Sequence, residues 1–414
     1  MNPSYYDIII IGSGMAGLYS AYNIKKISPT TKFIVLEQHN KEWIGGRTSN
    51  ETFYGTEIVT GAGIGRLQKD RLLYHLLQTL NIKIDTFDMN PTYSKLLEHV
   101  TDINKTIRHL KQEYKKQNKP SVTFAKFAKS VLGTKSYQNF LISAGYTDYE
   151  NEDVSNTLNN YGMDDNIGGW KGFHVYWKEM VLRLADKIGQ NNFKFSSNVV
   201  KLTKIQQEPC KFLLETDKNI KYYCNKVIIA TTIKSIRTLL PKYTIYNSIE
   251  GQPFLRLYGK FSKSSIPILK EYVKGYMILP GPLQKIIPMD ADKGVYMIAY
   301  NDNKNALLLK NFLENTECNR QIYCELLEQS LGMPSNSLYL IAIKSFYWPI
   351  GTHYYKPLDK KLFKNREEFI YKAQHPENGV LVVGEVVSNN QGWTEGALES
   401  VETTLSKKWI LSEC

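Results

Sequence analysis

The stretch that decides the fold runs from Asp7 to Gly17 and reads DIIIIGSGMAG. An apolar, β-branched run of strand length leads directly into a glycine-rich turn with the spacing GxGxxG. A helical stretch follows from Leu18 to Lys26, and a second apolar strand, residues 33–36, ends in Glu37. This order of strand, turn, helix, strand and acid predicts a βαβ unit that binds a dinucleotide. A glycine-rich turn that occurred by coincidence would not need these flanking elements.

Each residue of this unit has a mechanical role. Gly12 permits the tight turn, Gly14 lets a pyrophosphate approach the backbone, and Gly17 lets the helix pack closely on the strand. Ala16 lies in the first helical turn, where unpaired N–H groups face the phosphates. Glu37 is placed to accept hydrogen bonds from ribose hydroxyls. By itself, the unit indicates only a ligand that contains ADP.

Length and composition indicate two globular domains. The 414 residues exceed one ordinary compact core, and 42% hydrophobic and 22% charged residues are ordinary proportions. We find no apolar run of the ~20 residues that a membrane span needs and no signal-peptide pattern, so we expect a cytoplasmic or otherwise intracellular protein. The cysteines have neither CxxC spacing nor a nearby histidine cluster, which favours reduced thiols and argues against a metal site. They are Cys210, Cys224, Cys318, Cys324 and Cys414.

The formal charge of +12 is partly concentrated in residues 105–119. This basic segment has two interpretations, a solvated helix and loop, or a patch that attracts nucleic acid or another polyanion. No specific nucleic-acid motif accompanies it.

Further elements are predicted at long intervals. An amphipathic helix covers residues 71–80, and residues 84–165 are mostly helical. Another helix opens at residues 168–170 and continues to 188. A hairpin covers residues 212–224, four strands lie between 254 and 300, and the last helix spans about 392–409.

Buried parallel strands are indicated in three separate places, residues 7–37, 227–232 and 380–383. We therefore expect an α/β fold whose parallel sheet gathers strands from the beginning, middle and end of the chain. The predicted cofactor-binding domain is discontinuous and comprises residues 1–83, 190–240 and 375–414. Residues 84–189 and 241–374 are expected to form an α+β substrate-binding domain with an antiparallel sheet and helices.

Four motifs resemble those of the flavin-dependent amine oxidases, the family of monoamine, polyamine and L-amino-acid oxidases and flavin histone demethylases. They span nearly the whole chain: the opening fingerprint through Glu37, Gly45-Gly46-Arg47-Thr48, Gly61-Ala62-Gly63-Ile64-Gly65-Arg66, and Val383-Gly384-Glu385 with residues 392–400. The resemblance implies a Rossmann-type FAD-binding domain of the GR2-like kind, interleaved with a substrate domain.

The resemblance also implies a set of FAD contacts. In the family, the GGR arginine lies beside the pyrophosphate, the second glycine-rich segment passes the isoalloxazine ring, and the closing acid contacts the ribityl or phosphate region. Carried over to this sequence, these contacts fall on Gly46, Arg47, Gly63, Ile64, Val199, Val200, Gly384, Glu385, Trp393 and Thr394. The cysteine to which some relatives bond the flavin has no counterpart in residues 343–346, so we expect non-covalent FAD.

The same resemblance implies candidate catalytic residues. Trp393 corresponds to one wall of an aromatic cage, and Trp348 and Tyr354 are candidates for the other wall, near which Lys344 also falls. Arg256 occupies the position of a lysine that relatives hold near flavin N5, and Lys285 is a second candidate for that lysine. An arginine that amino-acid oxidases use for a substrate carboxylate corresponds to Arg66.

The function implied is an FAD-dependent amine oxidase, which transfers a hydride from an amine C–N bond to flavin N5 and passes electrons to O2, giving an imine and H2O2. Its expected partners are a small-molecule amine and O2. Two alternatives stay open: a related flavin enzyme acting on carbon–carbon bonds, such as a desaturase or protoporphyrinogen-type oxidase, and a flavoprotein with a structural or binding role and little turnover. Arg256 and Lys344 motivate the last alternative.

Overall fold

The computed structural model describes residues 4–161, 163, 167–207 and 210–412, so Cys414 lies outside the described residues. The strands in the described part are β1 (Ser4–Ile11), β2 (Phe33–Leu36), β3 (Asn50–Phe53), β4 (Thr56–Val59), β5 (Gly65–Arg66), β6 (Thr86–Met89), β7 (Thr92–Tyr93), β8 (Trp170–Phe173), β9 (Phe193–Lys194), β10 (Val199–Gln207), β11 (Cys210–Thr216), β12 (Lys221–Ile229), β13 (Ile249–Phe261), β14 (Met277–Ile278), β15 (Lys285–Asp290), β16 (Val295–Asp302), β17 (Leu340–Tyr355) and β18 (Val380–Val382).

The α-helices of the same residues alternate with these strands. They are α1 (Met15–Ile27), α2 (Arg71–Thr79), α3 (Ile103–Lys116), α4 (Phe124–Leu132), α5 (Thr134–Ala144), α6 (Val154–Asn159), α7 (Trp177–Ile188), α8 (Ile233–Leu239), α9 (Ser265–Tyr272), α10 (Asn303–Leu309), α11 (Glu317–Leu331), α12 (Arg366–Gln374), α13 (Thr394–Thr404) and α14 (Lys407–Leu411).

The first sheet confirms the predicted α/β class. Its order is β10-β11-β12-β1-β2-β9, with β18 beside the second half of β12. Strands β9, β2, β1, β12 and β18 pair in parallel, whereas β10 and β11 add antiparallel strands at one edge. The parallel strands thus come from the three predicted places, and the predicted hairpin is β11 with β12.

The parallel strands end at a common edge. Gly12, Glu37, Ala230 and Val383 each follow the last residue of a different parallel strand. In open α/β sheets, ligands bind outside the carboxyl ends of the strands, where loops and helix N-termini converge. The sheet therefore positions residues from distant parts of the sequence around one crevice.

The second sheet is mainly antiparallel. Its order is β17-β13-β16-β15-β14-β7, and the short pair of β7 with β14 is parallel. Helices α10 and α11 contribute buried side chains to the core on this sheet, and a separate core lies among α3, α4, α5 and α6. An antiparallel sheet with helices was predicted for the second domain, although the domain boundaries themselves stay a prediction.

Two predicted elements differ from the structure. Residues 170–173 form strand β8 rather than the start of a helix, because this segment pairs with both β5 and β6, and helix α7 begins only at Trp177. The last predicted helix is divided into α13 and α14, since Ser406 caps a new helix by accepting a hydrogen bond from the backbone N–H of Trp409. Every described helix is too short or too polar to cross a membrane.

The βαβ turn gives a stability prediction. A Cβ at Gly17 would overlap the carbonyl oxygen of Gly12, and backbone atoms cannot move aside as a flexible side chain can. We expect Gly17→Ala to lower the free energy of unfolding by about 1–3 kcal/mol, measured by urea denaturation.

Gly14→Ala is the matched control, because a Cβ at that position meets no protein atom within 4 Å. It should cost clearly less than Gly17→Ala. Equal losses in the two variants would contradict the close approach of helix and strand as the reason for glycine at position 17.

Candidate active site

A cavity of about 1550 Å³ extends from the edge of the parallel sheet to the second sheet. This exceeds the roughly 300–1,000 Å³ of a site for a drug-sized molecule, so it has room for a larger ligand or for two. All predicted cofactor contacts except Gly17 line it: Gly12, Gly14, Ala16, Glu37, Gly46, Arg47, Gly63, Ile64, Val199, Val200, Gly384, Glu385, Trp393 and Thr394. The structure therefore brings residues from both ends of the sequence into one site.

The glycine turn forms one end of this cavity. Gly12 has a φ of +100°, and a Cβ there would lie 2.5 Å from the carbonyl oxygen of Ala230 at the end of β12. Gly14 directly precedes α1 and borders the cavity, with no protein atom within 4 Å of the place of a Cβ. The N-terminus of α1 is thus open to a ligand, and its N–H groups favour an anion.

Glu37 is fixed beside this turn. Its Oε2 accepts hydrogen bonds from the backbone N–H and the hydroxyl of Ser13, both at 2.8 Å, and its Oε1 accepts one from the backbone N–H of His39 at 2.9 Å. A carboxylate has about four acceptor positions, so capacity is left for a ribose hydroxyl. That role stays a prediction.

Glu385 is a buried carboxylate of the cavity that accepts three hydrogen bonds. Arg47 donates to its Oε1 at 3.1 Å, the His353 ring donates to the same oxygen, and the backbone N–H of Gly392 donates to Oε2 at 2.9 Å. Burial would raise the pKa of Glu385, but His353, Arg47 and the Gly392 N–H outweigh it and lower that pKa to about 2. Arg47 also donates to the carbonyl oxygen of Gly351 at 2.5 Å.

His353 holds this carboxylate in place. Its Nε2 accepts a hydrogen bond from the backbone N–H of Ile233, at the start of α8, at 3.1 Å. Because Nε2 accepts this bond, Nδ1 is the ring nitrogen that donates to Glu385. The sequence motifs did not indicate this role, because both partners of the ring are remote in sequence.

Arg256 lies against the second glycine-rich segment. Its Nε donates to the carbonyl oxygen of Gly61 at 2.7 Å, and its Nη2 lies 2.8 Å from the place where a Cβ of Gly63 would be. The guanidinium also stacks over the Tyr300 ring at 4.2 Å from the centroid. Glycine at position 63 therefore makes room for this buried cation.

Lys285, the second candidate for the lysine that relatives hold near flavin N5, lies behind the wall of the cavity. Its side chain is fully buried, and its Nζ lies 3.2 Å from the centroid of the Tyr146 ring and 4.3 Å from that of Tyr300. Both tyrosines line the cavity, whereas Lys285 does not. Lys285 thus contributes charge to the site without facing it directly.

Trp393 supplies an aromatic face at the start of α13. Its ring meets Trp177 edge-on at a centroid distance of 6.2 Å, and its buried Nε1 has no hydrogen-bond partner among the described residues. Arg66 stacks on the same ring at 5.7 Å and pairs with the buried Asp70, Nη2 to Oδ1, at 3.0 Å. Arg66, which corresponds to an arginine that binds a substrate carboxylate in amino-acid oxidases, is therefore already paired with a carboxylate of the protein itself.

Of the two candidates for the second aromatic wall, one lines the cavity and the other does not. Trp348 lines the cavity and donates from its Nε1 to the carbonyl oxygen of Thr60 at 2.9 Å. Tyr354 does not line it and lies opposite Glu250, beyond an irregularity in the pairing of β13 with β17. Lys344 is also outside the lining, because it forms an ion pair with Glu51 at the β3–β4 hairpin.

Two aspartates that the sequence analysis did not select line the cavity beside the tyrosines. Asp302 accepts hydrogen bonds from the backbone N–H of Thr147 at 3.0 Å and from its hydroxyl at 2.5 Å. Asp148 accepts a hydrogen bond from the hydroxyl of Tyr161. The signal that identifies these aspartates is spatial, since β16 and the segment before α6 meet only in the folded chain.

Comparisons with known proteins agree with this architecture. Residues 10–91 match the model of an NAD(P)-binding Rossmann-like domain. A redesigned putrescine oxidase is similar with a TM-score of 0.75 at 13% identity, covering 99% of both chains. Cyclohexylamine oxidase from Brevibacterium oxydans is similar with a TM-score of 0.74 at 14% identity, covering 98% of both chains.

A protein of Acanthamoeba polyphaga mimivirus, described as uncharacterised, is 22% identical over 98% of this chain and 95% of its own length. The structural matches confirm the resemblance to the flavin amine oxidases at the level of the fold. At identities this low, they show the fold alone.

The Glu385 cluster predicts a specific dependence of stability on pH. The folded-state pKa of about 2 lies below the ordinary 4.5, so the charged carboxylate stabilises the fold above pH 4.5 and loses this effect as the pH falls to 2. Near neutral pH, the free energy of unfolding of the wild type should exceed that of Glu385→Gln by about 3 kcal/mol. This difference should vanish as the pH falls to about 2.

Glu395→Gln is the matched control, measured by denaturant unfolding over the same pH series. Glu395 accepts hydrogen bonds from the backbone N–H groups of Leu72 and Leu73 at 2.8 and 2.9 Å, but burial raises its pKa. The wild type should therefore lose stability relative to Glu395→Gln as the pH rises. Equal pH dependence in both comparisons would contradict the assignment of Glu385.

Proposed function

We propose that this protein is an FAD-dependent amine oxidase. The observation that carries the proposal is the continuity of one cavity from the dinucleotide fingerprint at Gly14, past the glycine-rich segment at Gly63, to a chamber with tyrosine and tryptophan rings and buried carboxylates. A cofactor and a small amine would thus share one cavity. The fold, common to amine oxidases of 13–14% identity, supports the same class of oxidoreductase.

The residues present fit FAD. The open space at Gly14 and the N-terminus of α1 suit a pyrophosphate, and the unused Nε1–H of Trp393 is a donor that a bound molecule can satisfy. Glu37 would hold the adenosine ribose, Val199 or Val200 would meet the adenine, and Arg47 would contact the phosphate and ribityl region. No cysteine is among the described residues lining the cavity, which supports non-covalent binding.

When bound, FAD supplies the acceptor for the hydride that an amine loses on becoming an imine, and it passes the electrons to O2 to give H2O2. The chain's own residues orient the amine and exclude water. Trp393, Trp348 and Tyr300 present aromatic faces that favour a cationic or neutral amine over an anion.

Arg256 supplies a permanent positive charge beside Gly61 and Gly63. A guanidinium does not release its proton in proteins, so Arg256 stabilises negative charge near the glycine-rich segment but does not act as an acid or base. This property also favours the second candidate function, a flavoprotein with little turnover. Flavin reduction by amines separates the two.

Removal of the Arg47 charge should weaken FAD binding. A charge-assisted hydrogen bond contributes about 1.5–3 kcal/mol, so Arg47→Met should raise the Kd for FAD about tenfold to a hundredfold. The Kd is measured by quenching of flavin fluorescence. Lys344→Met is the control and should bind as the wild type does, because Lys344 pairs with Glu51 outside the cavity. An unchanged Kd for Arg47→Met would contradict the proposed contact.

Trp393 should control amine oxidation more than cofactor retention. With FAD bound and oxygen excluded, a panel of monoamines, polyamines and L-amino acids should include one that bleaches the flavin, and oxygen should then yield peroxide. Trp393→Ala should slow this bleaching about a hundredfold, because misplacement of a substrate by about 1 Å has an effect of that size. FAD-loaded wild type that no amine bleaches would exclude the oxidase and leave the low-turnover flavoprotein.

A further inference from the structure

The chamber wall contains a pair of carboxylates with unequal surroundings. Asp302 is buried, and Thr147 donates to it from its backbone N–H, shared between Oδ1 at 3.0 Å and Oδ2 at 3.2 Å, and from its hydroxyl at 2.5 Å. Asp148 is partly accessible from the cavity, and one of its oxygens, Oδ1, accepts the Tyr161 hydroxyl hydrogen bond. Fixed donors therefore engage both oxygens of Asp302, whereas the one side-chain hydrogen bond described for Asp148 leaves it acceptor capacity at the chamber.

The charges around the pair reinforce this difference. Burial raises the pKa of Asp148 well above its ordinary value, and the charges of Asp302 and Glu152 raise it further, against the Tyr161 hydrogen bond and Lys285. Burial also raises the pKa of Asp302, but Lys285 and the Thr147 donors oppose it. Burial thus raises the pKa of both carboxyls, but Lys285 and Thr147 compensate Asp302 more closely, so Asp148 is the one placed to exchange a proton.

We propose that Asp148 binds the ammonium group of the incoming amine and takes its proton, an inference that rests on the proposed function. The step transfers one proton and no electrons: an ammonium and the Asp148 carboxylate become a neutral amine and a carboxylic acid. An ammonium nitrogen has no lone pair to support the developing imine, so the proton must leave before the hydride does. Asp302 remains the counter-charge.

Other ionisable groups of the lining are less suited to this step. Arg256 is already protonated, and Glu385, with a pKa of about 2, does not take up a proton near neutral pH. Glu57, whose pKa burial raises, and Asp290, whose pKa Lys293 lowers, also line the cavity. His174 is a further competitor in the lining, although burial lowers its pKa. It stacks with Phe87 at a centroid distance of 4.7 Å, whereas Asp148 is next to the Tyr146–Tyr300 wall that contacts Arg256.

The first test is the pH dependence of anaerobic flavin reduction by an amine substrate, in the FAD-loaded full chain. Wild type should show an acid limb, along which the rate falls about tenfold per pH unit as Asp148 becomes protonated. Asp148→Asn, which retains an oxygen to accept the Tyr161 hydroxyl, should lose this limb. His174→Asn should retain it, and loss of the limb in His174→Asn instead would overturn the proposal.

Substitutions of two neighbours of Asp148 should move the acid limb in opposite directions along the pH axis. Tyr161→Phe removes a hydrogen bond that favours ionised Asp148, so its acid limb should move to higher pH by about one unit. Asp302→Asn removes a like charge, so its limb should move to lower pH. A purely structural role for Asp148 would change rates without these directed shifts, and unmoved limbs in both variants would overturn the proposal.

The second readout needs no turnover. tert-Butylamine has no hydrogen on the carbon bound to nitrogen, so it cannot be oxidised, and its binding is followed by perturbation of the flavin spectrum. Along the acid limb its affinity for wild type should rise about tenfold per pH unit, and for Asp148→Asn it should not change with pH. A pH-independent affinity in wild type would overturn the proposal.

The two proposals fail in different ways. If no amine reduces the flavin of the wild type, the proposed function fails, and the inference fails with it. If amines reduce the wild type and Asp148→Asn keeps the same acid limb while retaining FAD, the inference alone is overturned.

Discussion

Glu385 keeps a negative charge inside the protein, and the positions of several distant segments depend on it. The groups that stabilise the charge come from the GGR segment, from β17, and from the loop before α13, and His353 also connects the cluster to the start of α8. An unpaired buried carboxylate would be costly, so these segments hold one another in place. The loops of the parallel sheet are thereby fixed against the longest strand of the second sheet.

A second group of charges lies around the Tyr300 ring. Arg256 and Lys285 are both within cation–π distance of the Tyr300 ring, and Asp148 and Asp302 lie beside the same wall. The two cations and the two carboxyls come close to neutrality, although each alone would be expensive to bury. A visiting ammonium alters this balance more than a neutral molecule would, and this makes the chamber sensitive to the protonation state of what enters it.

Local patterns predicted the parts of the fold that local physics determines. The glycine spacing, the β-branched runs and the acid after β2 identified the parallel sheet and one end of the cavity, because turn geometry and strand alternation are properties of short segments. His353, Asp148 and Asp302 were not selected, since their significance comes from partners that only the folded chain brings near. Lys344 was selected from its motif position, and the ion pair with Glu51 shows why alignment along a strand does not determine where a long side chain points.

The order of strands in the parallel sheet has a consequence for how the protein is made. Strand β1 is synthesised long before its neighbour β12, and β12 long before its other neighbour β18. Contacts between such distant segments form slowly, and the loop carrying Glu385 is translated after nearly everything that it touches. The nucleotide crevice is therefore incomplete until β18 and the loop carrying Glu385 have been translated, and only then can it surround the cofactor.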